Sequence, residues 1–194
     1  MINLDQIKKM RELTGAGLTD IKKALEEARG NEEKATDILR KRGKEKAIEK
    51  RKRLAKEGVI AIYLHSNKKI GAMVKLFCET DFVARNEEFQ ELAKDIAMHI
   101  AALDPKFLKP EDVSLEIVEK EKEIWREQLK EEGKSEDLIK KVIMGKEKKF
   151  REESALITQA FVKNPEMTIG TLLNEKIGKI GENIQIGEFV RFEL

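Results

Sequence analysis

Covalent catalysis needs a nucleophile within reach of a base, and the sequence offers little of either. Cys78 is the single cysteine, and it ends an alternating apolar run, Ile70–Cys78. A lone cysteine in that setting reads as a small core residue. His65 and His99 are the two histidines, and neither sits in a motif. Two isolated histidines do not make a metal site. Carboxylates are abundant enough to pair by chance. The glycine patterns Gly15-Ala16-Gly17 and Gly178-Lys179-Ile180-Gly181 lack the dinucleotide fingerprint and the phosphate-loop lysine. The residues therefore argue for a protein that is not an enzyme, with no metal and no cofactor expected.

The segment Cys78-Glu79-Thr80-Asp81-Phe82-Val83-Ala84-Arg85-Asn86 stands apart. A strand stops, a helix cap follows at once, and a phenylalanine occupies the first turn. The simple reading is a hydrophobic staple, with Phe82 tucked onto the sheet; general physics favours it. The sharper reading is an aromatic wedge on a stiff hairpin, because buried aromatic anchors dominate interface energies.

Three short helices are expected over residues 1–43. Asn3 caps the first, with Gln6 completing a capping box, and Leu4, Ile7 and Met10 share one face. Thr14–Gly17 forms a turn that glycine makes possible. Thr19 caps the second helix, whose buried stripe is Ile21, Ala24, Leu25 and Ala28. Gly30 ends it, Asn31 opens the third, and Gly43 closes that one. Residues 44–57 hold seven Lys/Arg and three Glu and read as a solvated helical linker without the interleaved aromatics that stack on bases.

The period then changes. Val59–Leu64 is apolar on both faces, as a strand covered on both sides would be, and it pairs with Ile70–Cys78 in a hairpin. Phe89, Leu92, Ala93, Ile96, Ala97 and Ile100 form a helical stripe. Helices are expected over Ser114–Glu132, Ser135 to about Met144, and Thr168–Ile177. Residues 146–163 are left open between helix and strand, and Asn164-Pro165 reads as a turn. A last strand, Ile184–Leu194, carries a bulge at Gly187 and joins the hairpin's sheet. The fold class is α+β: an N-terminal three-helix bundle, the 44–57 linker, and a 58–194 core with a helical insertion over about 114–163.

Lys and Arg total 39 against 37 Asp and Glu, a net charge of +2, so no basic excess marks a nucleic-acid footprint. No apolar run reaches the ~18 residues of a membrane span. The N-terminus lacks a signal peptide's apolar core. A cytoplasmic location is expected, with neither membrane nor direct nucleic-acid binding.

Three blocks then carry a resemblance. Leu13-Thr14-Gly15-Ala16-Gly17-Leu18 with Asp20–Leu25, Cys78–Arg85, and Ile180-Gly181-Glu182-Asn183-Ile184 occur in the order found in bacterial elongation factor Ts, and span nearly the whole chain. The resemblance implies a guanine-nucleotide exchange factor whose partner is elongation factor Tu. It implies that the bundle is ubiquitin-associated-like and docks on the partner's nucleotide-binding domain through Arg11, Leu18, Thr19, Lys22 and Lys23. It makes Thr80, Asp81, Phe82 and Val83 the wedge beside the partner's magnesium site. It puts Lys179, Ile180, Gly181, Glu182 and Asn183 near the partner's phosphate-binding loop. Longer relatives carry a second core half and a coiled coil after the Gly-Glu-Asn segment, whereas this chain ends eleven residues after Asn183. A homodimer supplying the missing half is expected by analogy. Two alternatives stay open: an RNA-binding protein using residues 44–57, and a ubiquitin-associated-type adaptor using only the bundle.

Overall fold

A computed structural model describes residues 4–194, with Lys44 described by its backbone alone. The expected Asn3 cap lies outside the described residues. The chain is α+β, with helices packed on an antiparallel sheet.

The N-terminal bundle comprises α1 (Leu4–Thr14), α2 (Leu18–Glu27) and α3 (Glu32–Lys50). Its core is Met10, Ile21, Ala24, Leu25, Ala28, Ala35 and Leu39. Leu4, expected on the inner face of α1, is exposed instead. The α1–α2 turn depends on Gly15 at φ +64°, which lets its N–H reach the Arg11 carbonyl at 2.8 Å. Gly17, not Thr19, is the N-cap of α2. Its carbonyl already accepts from the Ile21 N–H at 3.0 Å, so the helix begins before Thr19, which stays on the surface. Asn31 caps α3 as expected, its side chain accepting from the Lys34 N–H at 2.9 Å.

Gly43 does not end α3, which runs on through the basic segment to Lys50. An interior glycine costs a helix about 1 kcal/mol. Burial of Ala47 in the main core offsets that cost. One helix therefore serves both cores, with Leu39 in the bundle and Ala47 in the α+β body.

The sheet has the order β1 (Glu57–Leu64), β2 (Ile70–Cys78), β5 (Gln185–Glu193), all antiparallel. The register shifts between Val74 and Leu76, opposite Phe189 and Ile186, which places the expected bulge at Gly187. The inner face buries Ala61, Ala72, Val74, Leu76, Cys78 and Ile186. The outer face is a correction to the reading of a doubly covered strand. Ile60, Ile62 and Leu64 are exposed, Ile62 by 66%, and Met73, Val190 and Phe192 extend this apolar surface across the sheet.

Against the inner face packs α5 (Glu87–Leu103), with its whole expected stripe buried; α8 (Ile169–Ile180) packs on α3 and adds Ile169, Leu172, Leu173 and Ile177 to the same core. A four-residue helix, α4 (Asp81–Ala84), joins β2 to α5. Glu88 ties α5 to α8 through Lys176 at 2.7 Å and Lys179 at 2.8 Å. Burial alone would raise its pKa, but these two ammonium groups outweigh that and hold the carboxyl below the usual range.

Between α5 and α8, α6 (Leu115–Glu131) and α7 (Glu136–Ser154) form an antiparallel hairpin. It has a small core of its own, Leu129, Ile139 and Ile143, backed by Trp125 and Val142. α7 runs ten residues past the expected end at Met144. Gly145 fails to stop it because the next turns are anchored: Lys122 meets Glu147 at 2.9 Å, and Arg151 donates to the Val113 carbonyl at 2.8 Å. A short 3-10 turn and a ribbon of β3 (Ala160–Phe161) and β4 (Asn164–Thr168) follow. The reversal lies at residues 162–163, so Asn164-Pro165 opens β4 instead of forming the turn.

Candidate functional site

The hairpin β1–β2 delivers the segment singled out in the sequence. Its last pair is Glu57 with Cys78, after which β2 leaves the sheet and Thr80 caps α4. The Thr80 side chain accepts from the Val83 N–H at 3.4 Å. Val83 packs against the main core and Ala84 is buried. Phe82, between Asp81 and Val83 on the same turn, is 80% exposed. The staple reading is overturned: the helix buries Val83 and Ala84, and its first turn aims the ring outward. Asp81 stands in the first turn, with Arg85 at 3.2 Å.

The Gly181–Asn183 turn lies alongside. Gly181 ends α8 in the left-handed conformation at φ +92°, its N–H reaching the Ile177 carbonyl at 3.0 Å. That reversal brings Glu182 to the wedge segment. Glu182 Oε2 accepts from the N–H groups of Glu79 (3.0 Å) and Thr80 (3.1 Å), and Oε1 accepts from the Thr80 hydroxyl at 2.7 Å. In return, the Asn183 N–H donates to Glu79 Oε1 at 2.6 Å. The buried Asn183 amide donates to the Arg53 carbonyl at 2.6 Å, and Arg53 approaches Glu79 at 3.7 Å. Sequence reasoning named Glu182 and Asn183 but missed Glu79 and Arg53. The signal was the capping segment itself, which needs acceptors for the N–H groups beyond the end of the β1–β2 ladder.

Arg11, Leu18, Thr19, Lys22 and Lys23 all lie exposed on the bundle, Leu18 by 53%. The two groups meet through the α1–α2 turn, where Gly15 packs so closely on the Lys179 side chain that a Cβ would fall 2.6 Å from its Cγ. Ile180 is half-buried and Lys179 is paired with Glu88.

Nothing here supports bond chemistry at Cys78. The thiol is buried and donates to the Thr80 carbonyl at 3.2 Å. Burial, with Glu182 adding negative charge nearby, pushes it up to about 11, far from the thiolate a nucleophile requires. Among the described residues no group of three or more His, Cys, Asp or Glu is arranged to hold a metal ion, and no helix is long and apolar enough to cross a membrane. Part of the basic segment is tied into the fold. Lys46 pairs with Asp20 at 2.7 Å, Arg51 donates to Asn174 at 3.0 Å, and Ala47 is buried.

A family model described as elongation factor TS matches residues 7–194. The chain is 55% identical over 192 residues to elongation factor Ts of Thermosipho melanesiensis, covering 99% of this chain and 98% of that protein. It is 50% identical over 194 residues to that of Carboxydothermus hydrogenoformans, covering 100% and 89%. It is 49% identical over 193 residues to that of Fervidobacterium nodosum, covering 100% and 98%. Neither the RNA-binding reading nor the adaptor reading finds support beside these matches. With its exposed aromatic turn and its full-length likeness to these relatives, the chain belongs to the elongation factor Ts family, the guanine-nucleotide exchange factors of elongation factor Tu.

Proposed function

We propose that this chain speeds GDP release from elongation factor Tu by inserting Phe82 beside the partner's magnesium site, with Thr80, Asp81 and Val83 completing the wedge. The single observation that supports this is a large apolar ring held 80% exposed in the first turn of a capped helix. Magnesium bridges nucleotide phosphates and protein oxygens and neutralises their charge. A small displacement of those oxygens loosens the nucleotide. The wedge works only because it favours the nucleotide-free partner, and by reciprocity GDP weakens its grip equally. Arg11, Leu18, Thr19, Lys22 and Lys23 hold the partner's nucleotide-binding domain, and the Ile180–Asn183 turn lies near its phosphate loop. The division of labour is a ubiquitin-associated-like bundle within the first 43 residues, a basic stretch in which α3 continues into the main core, and an α+β body from about residue 58 to 194. The chain makes and breaks no bonds, carries no cofactor, and works in the cytoplasm.

The active form is a homodimer joined through the outer sheet face. Ile60, Ile62, Leu64, Met73, Val190 and Phe192 are too contiguous an apolar surface for a monomer. Two such faces stacked as a sandwich would cover each other at about 10 Å.

Burying a phenylalanine side chain is worth ~1.5–3 kcal/mol, which is roughly a 10- to 100-fold change in rate if it is realised at the exchange step. Phe82→Ala is therefore expected to slow release of labelled GDP from elongation factor Tu by about tenfold or more. Exchange at the unaltered rate would remove the wedge.

A further inference from the structure

Residues 79 and 80 have left the β1–β2 ladder, whose last pair is Glu57 with Cys78, so their N–H groups need other acceptors. One carboxylate supplies both. Glu182 takes the Glu79 and Thr80 N–H groups on Oε2 and the Thr80 hydroxyl on Oε1. Three of the four lone-pair directions of a carboxylate are thus spent within the chain. The same Thr80 oxygen also caps α4, two residues before Phe82. The tie is reciprocal through Glu79 and the Asn183 N–H, and Asn183 in turn holds the chain just past α3. Charge-assisted bonds of this kind are among the stronger hydrogen bonds in proteins. A single-point support would let α4 swing on the end of β2. Three convergent bonds fix its angle.

We infer that Glu182 is a positioning residue of the exchange site: its carboxylate sets the angle at which the Thr80–Phe82 turn presents the ring, and its own contribution to gripping the partner is minor. This rests on the wedge reading of Phe82.

The test uses the full chain, labelled GDP on elongation factor Tu, and the variants E182A, E182Q, F82A and E182A/F82A. E182A is expected to lower the maximal exchange rate about tenfold with little change in the concentration giving half the maximal rate. E182Q, which keeps an oxygen for the two N–H groups, is expected to recover most of that loss. The double variant is expected to be no slower than F82A, because a ring that is absent cannot be misaimed. An E182A rate within twofold of the parent, or losses that multiply in the double variant, would overturn the inference. Should E182A fail to fold, the same cycle is run with E182Q, whose smaller deficit must likewise vanish in the F82A background. Deuterium uptake separates the two claims. Faster uptake confined to residues 79–83 in the Glu182 variant supports the clamp, and unchanged uptake overturns it, whatever rate F82A gives. A full rate for F82A removes the wedge reading instead.

Discussion

His99 has no exposed surface and both ring nitrogens engaged. Nδ1 accepts from the Val162 N–H at 3.2 Å, which leaves Nε2 to donate to Gln159 Oε1 at 3.0 Å. The ring is neutral, and burial lowers its proton affinity more than Gln159 raises it. An unfolded chain takes up a proton near pH 6.5, whereas the folded chain refuses it until lower pH. The stability tied to His99 is therefore complete above about pH 6.5 and is lost as pH falls below it. The thermal midpoint should drop between pH 7 and pH 5, and His99→Gln should flatten that slope. An equal slope in the variant would assign the effect elsewhere. In the sequence His99 sits in no motif. The sequence could not show that the ring joins α5 to the β3 region, because the partners are 60 and 63 residues away.

Elements whose pattern depends on their own residues were legible, and those whose pattern depends on neighbours were not. The α5 stripe and the β2 alternation predicted their buried faces residue by residue. Gly43 was misread as a helix end and the helix from Ser135 was ended too early at about Met144, because a glycine stops a helix only where nothing beyond it is anchored, and Ala47, Glu147 and Arg151 are. At Gly43 the backbone is helical and an added Cβ meets nothing within 4 Å. Gly43→Ala is thus expected to stabilise the protein by about 0.5–1 kcal/mol; a lower melting temperature would contradict the continuous α3. The apolar run of β1 read as covered on both faces, although this chain covers only one. That unmatched face gives its own test. Ile62→Lys should convert a dimer to a monomer in light scattering while keeping the melting curve cooperative. A variant that stays dimeric would place the interface elsewhere.

At the scale of the molecule, the three sequence blocks of the family resemblance fall into two neighbouring surfaces. The wedge segment and the Gly-Glu-Asn turn are bonded to each other across about a hundred residues, and the bundle turn packs on Lys179 at the end of α8. The sequence identified those segments but not their union, since no local period connects residue 80 with residue 182. α3 links the two surfaces, because it is shared by both cores. A wedge can transmit force only if its base and its docking surface move as one body.

The central claim is that an exposed ring acts on the partner's magnesium site, and magnesium dependence tests it most directly. Labelled GDP release from elongation factor Tu is measured with the parent chain and with Phe82→Ala, first with saturating magnesium and then with the metal chelated. With magnesium present, the variant should be slower by about tenfold or more; with the metal removed, the two should converge, because the ring's task is already done. A deficit that persists undiminished without magnesium, or none with it, would contradict the account.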